Sequence, residues 1–320
     1  GASIINCTVR QHQIRFTLGE IAQDLFLSTI YMALQISHSQ NFTNDPKLLD
    51  RLVVQAGITS DDLVVDIGAG HGEITRVLAS HAKGVIAIEK DQKLYNQLRL
   101  DFASQTNVTI LNLDVLDYQF PTTPYKVFSN IPFNLTSDIV RHLSSQQNLA
   151  NDIFLFAQKE AANQFCGLPK ESLKSLLLKP VYLPSVTYRF RRTDFRPVPR
   201  VDVVLLRFEK RATPLVAIKE WRDFVVYVIS QTQPNIFGTL KRIVTSAQLP
   251  QLISRLGISP HSKPTDLILD QWVGLYNFFS QSTDIDNRRF VNGSYTKLLH
   301  QQQSLSKIHR TRTDKSWREK

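Results

Sequence analysis

Four consecutive residues near the middle of the chain have the types that an amino-bearing aromatic ring would need for binding. They are Asn130, Ile131, Pro132 and Phe133. The proline ring fixes φ and removes an amide donor, so a predicted strand over residues 125–129 should end in a stiff bend. An aromatic amine has two N–H donors, for which the Asn130 carboxamide oxygen and the Ile131 carbonyl are acceptors, and Phe133 can stack on the ring. The alternative is an ordinary strand-end turn, in which asparagine and proline are also common.

A glycine-rich loop precedes this segment in the chain. Residues 63–67 form an apolar pattern that is typical of a strand buried on both faces. Gly68, Gly70 and Gly72 follow it, and a helical pattern then runs from residue 73 to about residue 80. Glycines at this place allow a tight turn and let a ligand approach the backbone N–H groups of a helix start. Because NAD and FAD sites use similar loops, the glycines predict a nucleotide-type cofactor without specifying which one.

An acidic residue ends each of the next two predicted strands. Glu89 follows residues 84–88, and Asp114 follows residues 108–113. Glu89 lies about twenty residues after the glycines, where a doubly wound fold binds ribose hydroxyls, and Asp114 could accept a hydrogen bond from an adenine amine. The carboxyl ends of parallel strands share one edge of a sheet, so both acids, the glycine loop and Asn130 should line one crevice. This set favours S-adenosylmethionine (SAM) over a dinucleotide.

The order of these motifs resembles that of the rRNA adenine N6-methyltransferases. The resemblance is carried by Ser39-Gln40-Asn41-Phe42, Asp66-Ile67-Gly68-Ala69-Gly70-His71-Gly72, Glu89, Asp114, Asn130-Ile131-Pro132-Phe133 and Phe195-Arg196-Pro197-Val198-Pro199-Arg200-Val201-Asp202. One branch of this family, the Erm methyltransferases, modifies an adenine of 23S rRNA and confers resistance to macrolides, lincosamides and streptogramin B. The other branch, of KsgA type, dimethylates small-subunit (16S) rRNA. Three of these segments resemble the Erm branch more closely, namely residues 39–42, 130–133 and 195–202.

The resemblance implies a role for each matching residue. The cofactor should contact Gln40, Asn41, Asp66, Gly68, Gly70, Gly72, Glu89, Asp114 and Asn130. Catalysis is expected from residues 130–133, and substrate RNA should contact Phe195, Arg196, Arg200, Lys241 and Arg242. Phe195 is the candidate for a wall opposite Phe133, with the target base between the two rings. No metal is expected. The alternative outside enzymology is a non-catalytic nucleic-acid-binding protein that reuses the fold.

Composition agrees with a nucleic-acid substrate. The chain has 320 residues and a formal net charge of +10, and excess lysine and arginine raise affinity for phosphate backbones. The two cysteines, Cys7 and Cys166, argue against a disulfide framework and for a reducing compartment. No apolar run has the length of a membrane span. Together with the family resemblance, which implies 23S rRNA or alternatively 16S rRNA as the substrate, these features lead us to expect a cytoplasmic, monomeric enzyme.

Four segments are predicted along the chain. Residues 1–38 form an N-terminal extension whose first residues, Gly1-Ala2-Ser3, are typical of a cloning remnant. Residues 39–208 form an α/β, Rossmann-like, SAM-binding catalytic domain, and residues 209–285 form a small helical RNA-binding domain. Residues 286–320 form a basic tail, with nine Lys and Arg against two acids from residue 287 onward, which is expected to be disordered without RNA.

Overall fold

The structure of this chain is a computed structural model that describes residues 5–6, 15–16, 42–43, 45–233, 235–283 and 285–304. The predicted cofactor contacts Gln40 and Asn41 lie outside the described residues. Four two-residue strands form two short antiparallel ladders, β1 (Ile5–Asn6) with β2 (Arg15–Phe16), and β3 (Phe42–Thr43) with β10 (Phe195–Arg196).

A seven-stranded sheet forms the centre of the fold. Its strands are β4 (Leu63–Ile67), β5 (Gly84–Glu89), β6 (Val108–Asn112), β7 (Lys126–Ser129), β8 (Asp152–Gln158), β9 (Tyr182–Arg189) and β11 (Val203–Lys210). They lie in the order β6-β5-β4-β7-β8-β11-β9. Neighbouring strands from β6 to β8 are parallel, and β11 runs antiparallel to β8.

The direction of strand succession reverses at β4. The chain adds β5 and β6 on one side of β4, and it then adds β7 and β8 on the other side. Open α/β sheets bind ligands at such a switch point, in the crevice beyond the carboxyl ends of the strands. The predicted Rossmann-like α/β fold is therefore confirmed, and its crevice lies after β4 and β7.

The central strands β4, β7 and β8 are buried at all but their terminal residues. Helices α1 (Pro46–Gln55), α2 (Glu73–His81), α3 (Gln92–Asp101), α4 (Thr136–Ser144) and α5 (Lys159–Cys166) accompany the sheet. The side chains of Val64 and Phe128 are fully buried in a cluster that also contains Leu49 and Leu52 of α1. Asp45 caps α1 by accepting hydrogen bonds from two amides of its first turn.

The chain divides into two compact units. The first contains residues 1–162 and 185–210, and the second contains residues 163–184 and 211–320. The described helices of the second unit are α6 (Leu173–Leu178), α7 (Ile218–Ser230), α8 (Ile236–Leu240), α9 (Leu249–Arg255), α10 (Leu269–Ser282), α11 (Ile285–Arg288) and α12 (Ser294–Ser304). None of the helices in the described ranges combines the length and the apolar character needed to cross a bilayer.

The two units differ from the predicted division over residues 163–184. The sequence placed this segment in the catalytic domain, whereas the structure groups it with the helices of the second unit. The indole N–H of Trp221 in α7 donates a hydrogen bond to the Leu176 carbonyl of α6 over 2.7 Å, and both side chains are fully buried. A contact between residues this far apart in sequence leaves no local pattern, so only the folded chain assigns the segment.

The expected disorder of the basic tail is wrong for its first part, because residues 285–288 and 294–304 are helical. Val291 is only 1% exposed and packs in the core of the second unit. The Asp223 carboxylate of α7 accepts hydrogen bonds from the amides of Gly293 and Tyr295, each over 2.9 Å. One buried apolar residue and one capping acid therefore order a segment whose composition is polar. Residues 305–320 lie outside the described residues.

Candidate active site

The glycine loop has a backbone conformation that few other residues adopt. Gly68, Gly70 and Gly72 have φ values of 70°, 60° and 82°, in the left-handed region where a Cβ is disfavoured. The amides of Gly68 and Ala69 donate to the Ile88 carbonyl over 2.8 and 3.1 Å, which holds the loop against the end of β5. Gly72 is the residue before the first turn of α2. The loop therefore presents backbone, with no side chain at the glycine positions, at the start of a helix.

Glu89 supports this loop from the end of β5. Its side chain is buried, and its Oε2 accepts the Gly70 amide over 2.9 Å while Oε1 accepts the Asp91 amide over 2.8 Å. Each carboxylate oxygen can accept more than one hydrogen bond, so a ligand hydroxyl can bind here in addition to the two amides. Glu89 thus fixes the loop and places an acceptor beside it.

Asp66 ties the end of β4 to the following helix. Its carboxylate is 1% exposed, and the Thr75 hydroxyl of α2 donates to Oδ2 over 2.7 Å. Burial raises the pKa of Asp66 to about 7, the negative charge of Glu89 adds to this increase, and the Thr75 hydrogen bond opposes it. Asp66 therefore supports the glycine loop by joining β4, which precedes the loop, to α2, which follows it.

Asp114 starts a short 3-10 turn after β6. Its Oδ1 accepts the Leu116 amide over 3.0 Å, and its Oδ2 accepts the Lys90 ammonium over 2.8 Å. The hydrogen bond from Lys90 holds the pKa of Asp114 below its usual value. Lys90 was not predicted as a site residue, although its place directly after Glu89 at the carboxyl end of β5 was a signal that could have identified it.

The Asn130 loop is tied to the glycine loop through the residue that precedes it. The Ser129 hydroxyl, at the end of β7, accepts the Ile67 amide at the end of β4 over 2.7 Å, and Ser129 is 0% exposed. Asn130 follows and is partly buried, and the Ile131 side chain is buried. The structure therefore places Asn130 after the strand that neighbours the glycine-bearing strand, at the same edge of the sheet.

Pro132 and Phe133 turn the chain from this loop into α4. Pro132 precedes a 3-10 turn over Phe133–Leu135, and its carbonyl accepts the Leu135 amide over 2.9 Å. The Thr136 hydroxyl donates to the Phe133 carbonyl over 3.0 Å. The Phe133 ring is partly buried and packs at the border of the core. The predicted stiff bend after β7 is present.

An arginine-rich loop lies at the same edge. Val203, the first residue of β11, pairs with Gln158, the last residue of β8, so residues 190–202 lie beyond the carboxyl ends of the parallel strands. The loop exposes Arg191, Arg192, Arg196 and Arg200. Arg192 is paired with Asp202 over 3.0 Å. The predicted RNA contacts Arg196 and Arg200 are thus placed at the edge that carries Asn130.

The expected role of Phe195 as a base-stacking wall is not met. Phe195 is 1% exposed, and its ring lies 5.1 Å from that of Phe190 and 6.4 Å from that of Phe156, both at steep angles. These rings occupy the surfaces that a base would need. Phe195 packs in the core and positions the arginine-rich loop, because its backbone also pairs with Thr43.

Lys241 and Arg242 belong to the second unit. Both are exposed, with the Lys241 ammonium 5.5 Å from the Phe237 ring and the Arg242 guanidinium 5.2 Å from the Phe290 ring.

In the described part of the chain, no group of three or more His, Cys, Asp or Glu side chains could hold a metal ion. The predicted site residues that the structure describes in the first unit, apart from Phe195, lie at or support one sheet edge.

These residues fit SAM. The left-handed glycines form a tight turn between β4 and α2, the Glu89 carboxylate bonds to this turn, and Asp114 follows β6, the strand beside β5. The fold and the site define a SAM-dependent methyltransferase of Rossmann-like architecture. Residues 32–281 match the ribosomal RNA adenine dimethylase family. The chain belongs to this family, and it is a SAM-dependent rRNA adenine methyltransferase.

Similar proteins include a small-subunit rRNA methyltransferase and a mycinamicin-resistance protein. The chain is 29% identical over 253 residues to ribosomal RNA small subunit methyltransferase A of Caldanaerobacter subterraneus subsp. tengcongensis, covering 74% of this chain and 94% of the relative. It is 28% identical over 245 residues to the mycinamicin-resistance protein MyrB of Micromonospora griseorubida, covering 76% and 78%.

Two crystal structures share the fold over most of the chain. The 23S rRNA methyltransferase ErmE superposes with a TM-score of 0.69 at 25% identity, covering 75% of this chain and 100% of that one. A dimethyladenosine transferase from Plasmodium falciparum gives a TM-score of 0.65 at 20% identity, covering 76% and 98%.

Proposed function

We propose that this protein is an Erm-type enzyme that methylates N6 of one adenine in 23S rRNA. The observation that carries the proposal is the catalytic loop, in which isoleucine and phenylalanine flank Pro132, together with residues 195–202, because both segments resemble the Erm branch. Similarity to ErmE and MyrB supports this choice. The second candidate is a 16S rRNA adenine dimethylase, which is favoured by similarity to the small-subunit methyltransferase.

The chemistry follows from the acceptors at the Asn130 loop. The lone pair of an adenine amine is delocalised into the ring, so the amine is a poor nucleophile. The Asn130 carboxamide oxygen and the Ile131 carbonyl accept hydrogen bonds from the two amine N–H groups and turn the lone pair out of conjugation. SAM, when bound, supplies an electrophilic methyl group. No strong base is needed, because the amine proton becomes acidic once the nitrogen carries positive charge. Catalysis is then mainly alignment and polar stabilisation.

The substrate has to present an unstacked adenine. The edge of an adenine in a duplex is not accessible to a loop at the end of a strand, so the base must be flipped or come from an unpaired region. Phe133 then stacks on the base. The exposed Arg196 and Arg200 lie at the same edge of the sheet and are suited to phosphate contacts, which position RNA without reading its sequence.

Methyl transfer to purified RNA tests the choice of substrate. Protein-free 23S and 16S rRNA are incubated separately with the enzyme and labelled SAM, and the modified base is mapped by primer-extension arrest. One modified adenine in the peptidyl-transferase loop of 23S rRNA is expected, with macrolide resistance in a host that expresses the protein. Label confined to 16S rRNA near its 3′ end would reject the Erm assignment in favour of the second candidate.

Asn130→Ala tests the mechanism. Loss of one preorganised polar contact to the reacting group is expected to lower kcat by about 10²–10³-fold, while affinity for RNA stays close to that of the wild type. Asn134→Ala is the matched control, since Asn134 is exposed in the adjoining 3-10 turn, and its kcat should be unchanged. Full activity of Asn130→Ala would contradict the proposed acceptor role.

A further inference from the structure

The backbone ladder between β5 and β6 ends at the edge of the sheet that carries the candidate active site. The last pair in its register is Glu89 with Asn112. Beyond this pair the Asn112 carboxamide continues the connection, because its Nδ2 donates to the Glu89 carbonyl over 3.0 Å and to the Lys90 carbonyl over 3.2 Å. One side chain of β6 therefore holds two consecutive backbone carbonyls at the end of β5.

A second bond joins the same two strand ends in the opposite direction. The Lys90 ammonium donates to Oδ2 of Asp114 over 2.8 Å, and the Leu116 amide donates to Oδ1 over 3.0 Å. The Asp114 carboxylate is thereby fixed from two sides. Because each carboxylate oxygen can accept a further hydrogen bond, these two bonds orient the carboxylate and still leave acceptor capacity for a ligand.

The corner between β5 and α3 orients a second carboxylate. Oε2 of Glu89 accepts the Gly70 amide and Oε1 accepts the Asp91 amide. The Asp91 carboxylate in turn caps α3 by accepting two amides of its first turn. The position of residues 89–91 therefore sets the direction of the Glu89 side chain, and Asn112 acts on this corner through the backbone carbonyls.

The positions of these bonds on the surface limit what they contribute to the stability of the fold. The side chain of Lys90 is 75% exposed and that of Asp114 is 30% exposed, and an ion pair at such positions stabilises a fold little. Asn112 is an exposed residue as well. The main consequence of the bonds is therefore the direction of two carboxylates at the ligand crevice.

We propose that Asn112 and Lys90 are positioning residues for the adenosine part of SAM. Asn112 fixes the corner that carries Glu89, the acceptor for the ribose hydroxyls, and Lys90 orients Asp114, the acceptor for the adenine amine. Neither side chain takes part in methyl transfer. This role is independent of which rRNA is methylated, and it requires only that SAM binds at Glu89 and Asp114.

Cofactor binding in the absence of RNA tests this role. Calorimetry gives the dissociation constants of S-adenosylhomocysteine and of 5′-methylthioadenosine, which carries the adenosine half alone. Asn112→Ala should weaken both ligands about tenfold and Lys90→Met about threefold, as expected for two lost hydrogen bonds and for one exposed ion pair. Because binding is lost and chemistry is kept, KM for SAM should rise by the same factors with kcat unchanged.

Two exposed residues of α3 supply matched controls. Lys93→Met makes the same change of charge as Lys90→Met, and Asn96 bonds to Gln92 within its own helix, so Lys93→Met and Asn96→Ala should bind both ligands like the wild type. Lys90→Arg keeps a cation that can pair with Asp114 and should restore affinity. Asn112→Asp keeps the size of the side chain without its N–H donors, so it should bind at least as weakly as Asn112→Ala.

A double-mutant cycle separates positioning from direct contact with the cofactor. Asp114→Ala should itself weaken S-adenosylhomocysteine binding. If Lys90 acts through Asp114, Lys90→Met should add no further loss in the Asp114→Ala background. The loss caused by Lys90→Met should also shrink at about 1 M salt, where an exposed ion pair is screened, whereas the loss caused by Asn112→Ala should persist.

Two results would overturn the inference. One is wild-type affinity for S-adenosylhomocysteine in both Asn112→Ala and Lys90→Met. The other is a full additive loss from Lys90→Met in the Asp114→Ala background, which would make Lys90 a direct contact. Failure of the proposed function gives a different pattern, in which the wild type leaves 23S rRNA unmodified while the variants still bind S-adenosylhomocysteine more weakly.

Discussion

Removal of the Ser129 hydroxyl tests how the two loops of the site are held together. In the folded chain this hydroxyl accepts the Ile67 amide over 2.7 Å, and the two residues are 0% and 2% exposed. Ser129→Ala leaves the Ile67 amide buried without that acceptor. Ile67 directly precedes the glycine loop and Ser129 directly precedes Asn130, so the lost bond joins the cofactor loop to the catalytic loop.

The expected cost follows from the burial of both groups. A buried donor that loses its acceptor destabilises a fold by about 1–3 kcal/mol, and the melting temperature of a unit of this size falls by about 2–4 °C for each kcal/mol. A small displacement of a positioning loop can also cost about 10²-fold in rate. Ser129→Ala should therefore lower the melting temperature and, at saturating SAM and RNA, lower kcat.

Three measurements check this prediction. Thermal unfolding gives the loss of stability, hydrogen exchange gives the protection of the Ile67 amide, and methyl transfer gives kcat. Ser80→Ala is the control, because the Ser80 hydroxyl bonds to a carbonyl at an exposed position of α2, and surface changes of this kind stay within about 0.5 kcal/mol. If Ser129→Ala kept the wild-type melting temperature, amide protection and kcat, the hydrogen bond between Ile67 and Ser129 would not hold the two loops in place. That result would refute the prediction.

Two further predictions concern the supports of the glycine loop. Burial raises the pKa of the Asp66 carboxyl from 3.8 to about 7. Between these two pH values the folded chain keeps a proton on Asp66 that the unfolded chain has lost. The free energy of unfolding should therefore fall by about 4 kcal/mol as the pH rises through this range. Asp66→Asn should flatten that pH dependence in urea titrations, and an unchanged slope would contradict the assignment. Gly72→Ala places a Cβ 2.7 Å from the Phe102 ring at a φ of 82°, so it should destabilise by about 1–3 kcal/mol and weaken SAM binding in calorimetry. Wild-type stability and affinity would show that the loop relaxes freely.

The parts of the fold that were predictable are those with a local signal. The apolar segments predicted both ends of β4 correctly. They predicted the ends of β5, β6 and β7 to within one residue. Strands β8 and β9 were missed. β8 is an apolar segment without a marker residue at its end, and β9 mixes polar with apolar residues and contains Pro184, which lowers its strand signal.

The candidate site was predictable where a residue type has few other uses at its position. Glycines with positive φ, an acid at the end of a parallel strand and a proline after a buried strand are selected by backbone geometry and ligand chemistry together. Arg196 and Arg200, predicted as RNA contacts from the family resemblance, lie at the edge that carries Asn130. Phe195 was misassigned because sequence alone does not distinguish an aromatic ring that lines a site from one that packs beneath it.

The sequence by itself determined the class of fold, the order of the site motifs and the kind of cofactor, because these depend on runs of apolar residues and on glycine, acid and amide positions that act locally. Only the tertiary structure decided which distant groups meet. The Ser129 bond to Ile67, the Lys90 pair with Asp114 and the Asp223 cap on the C-terminal helices join segments that no periodicity relates. These contacts exist because strand order and helix packing bring the segments together, and that arrangement is a property of the folded chain.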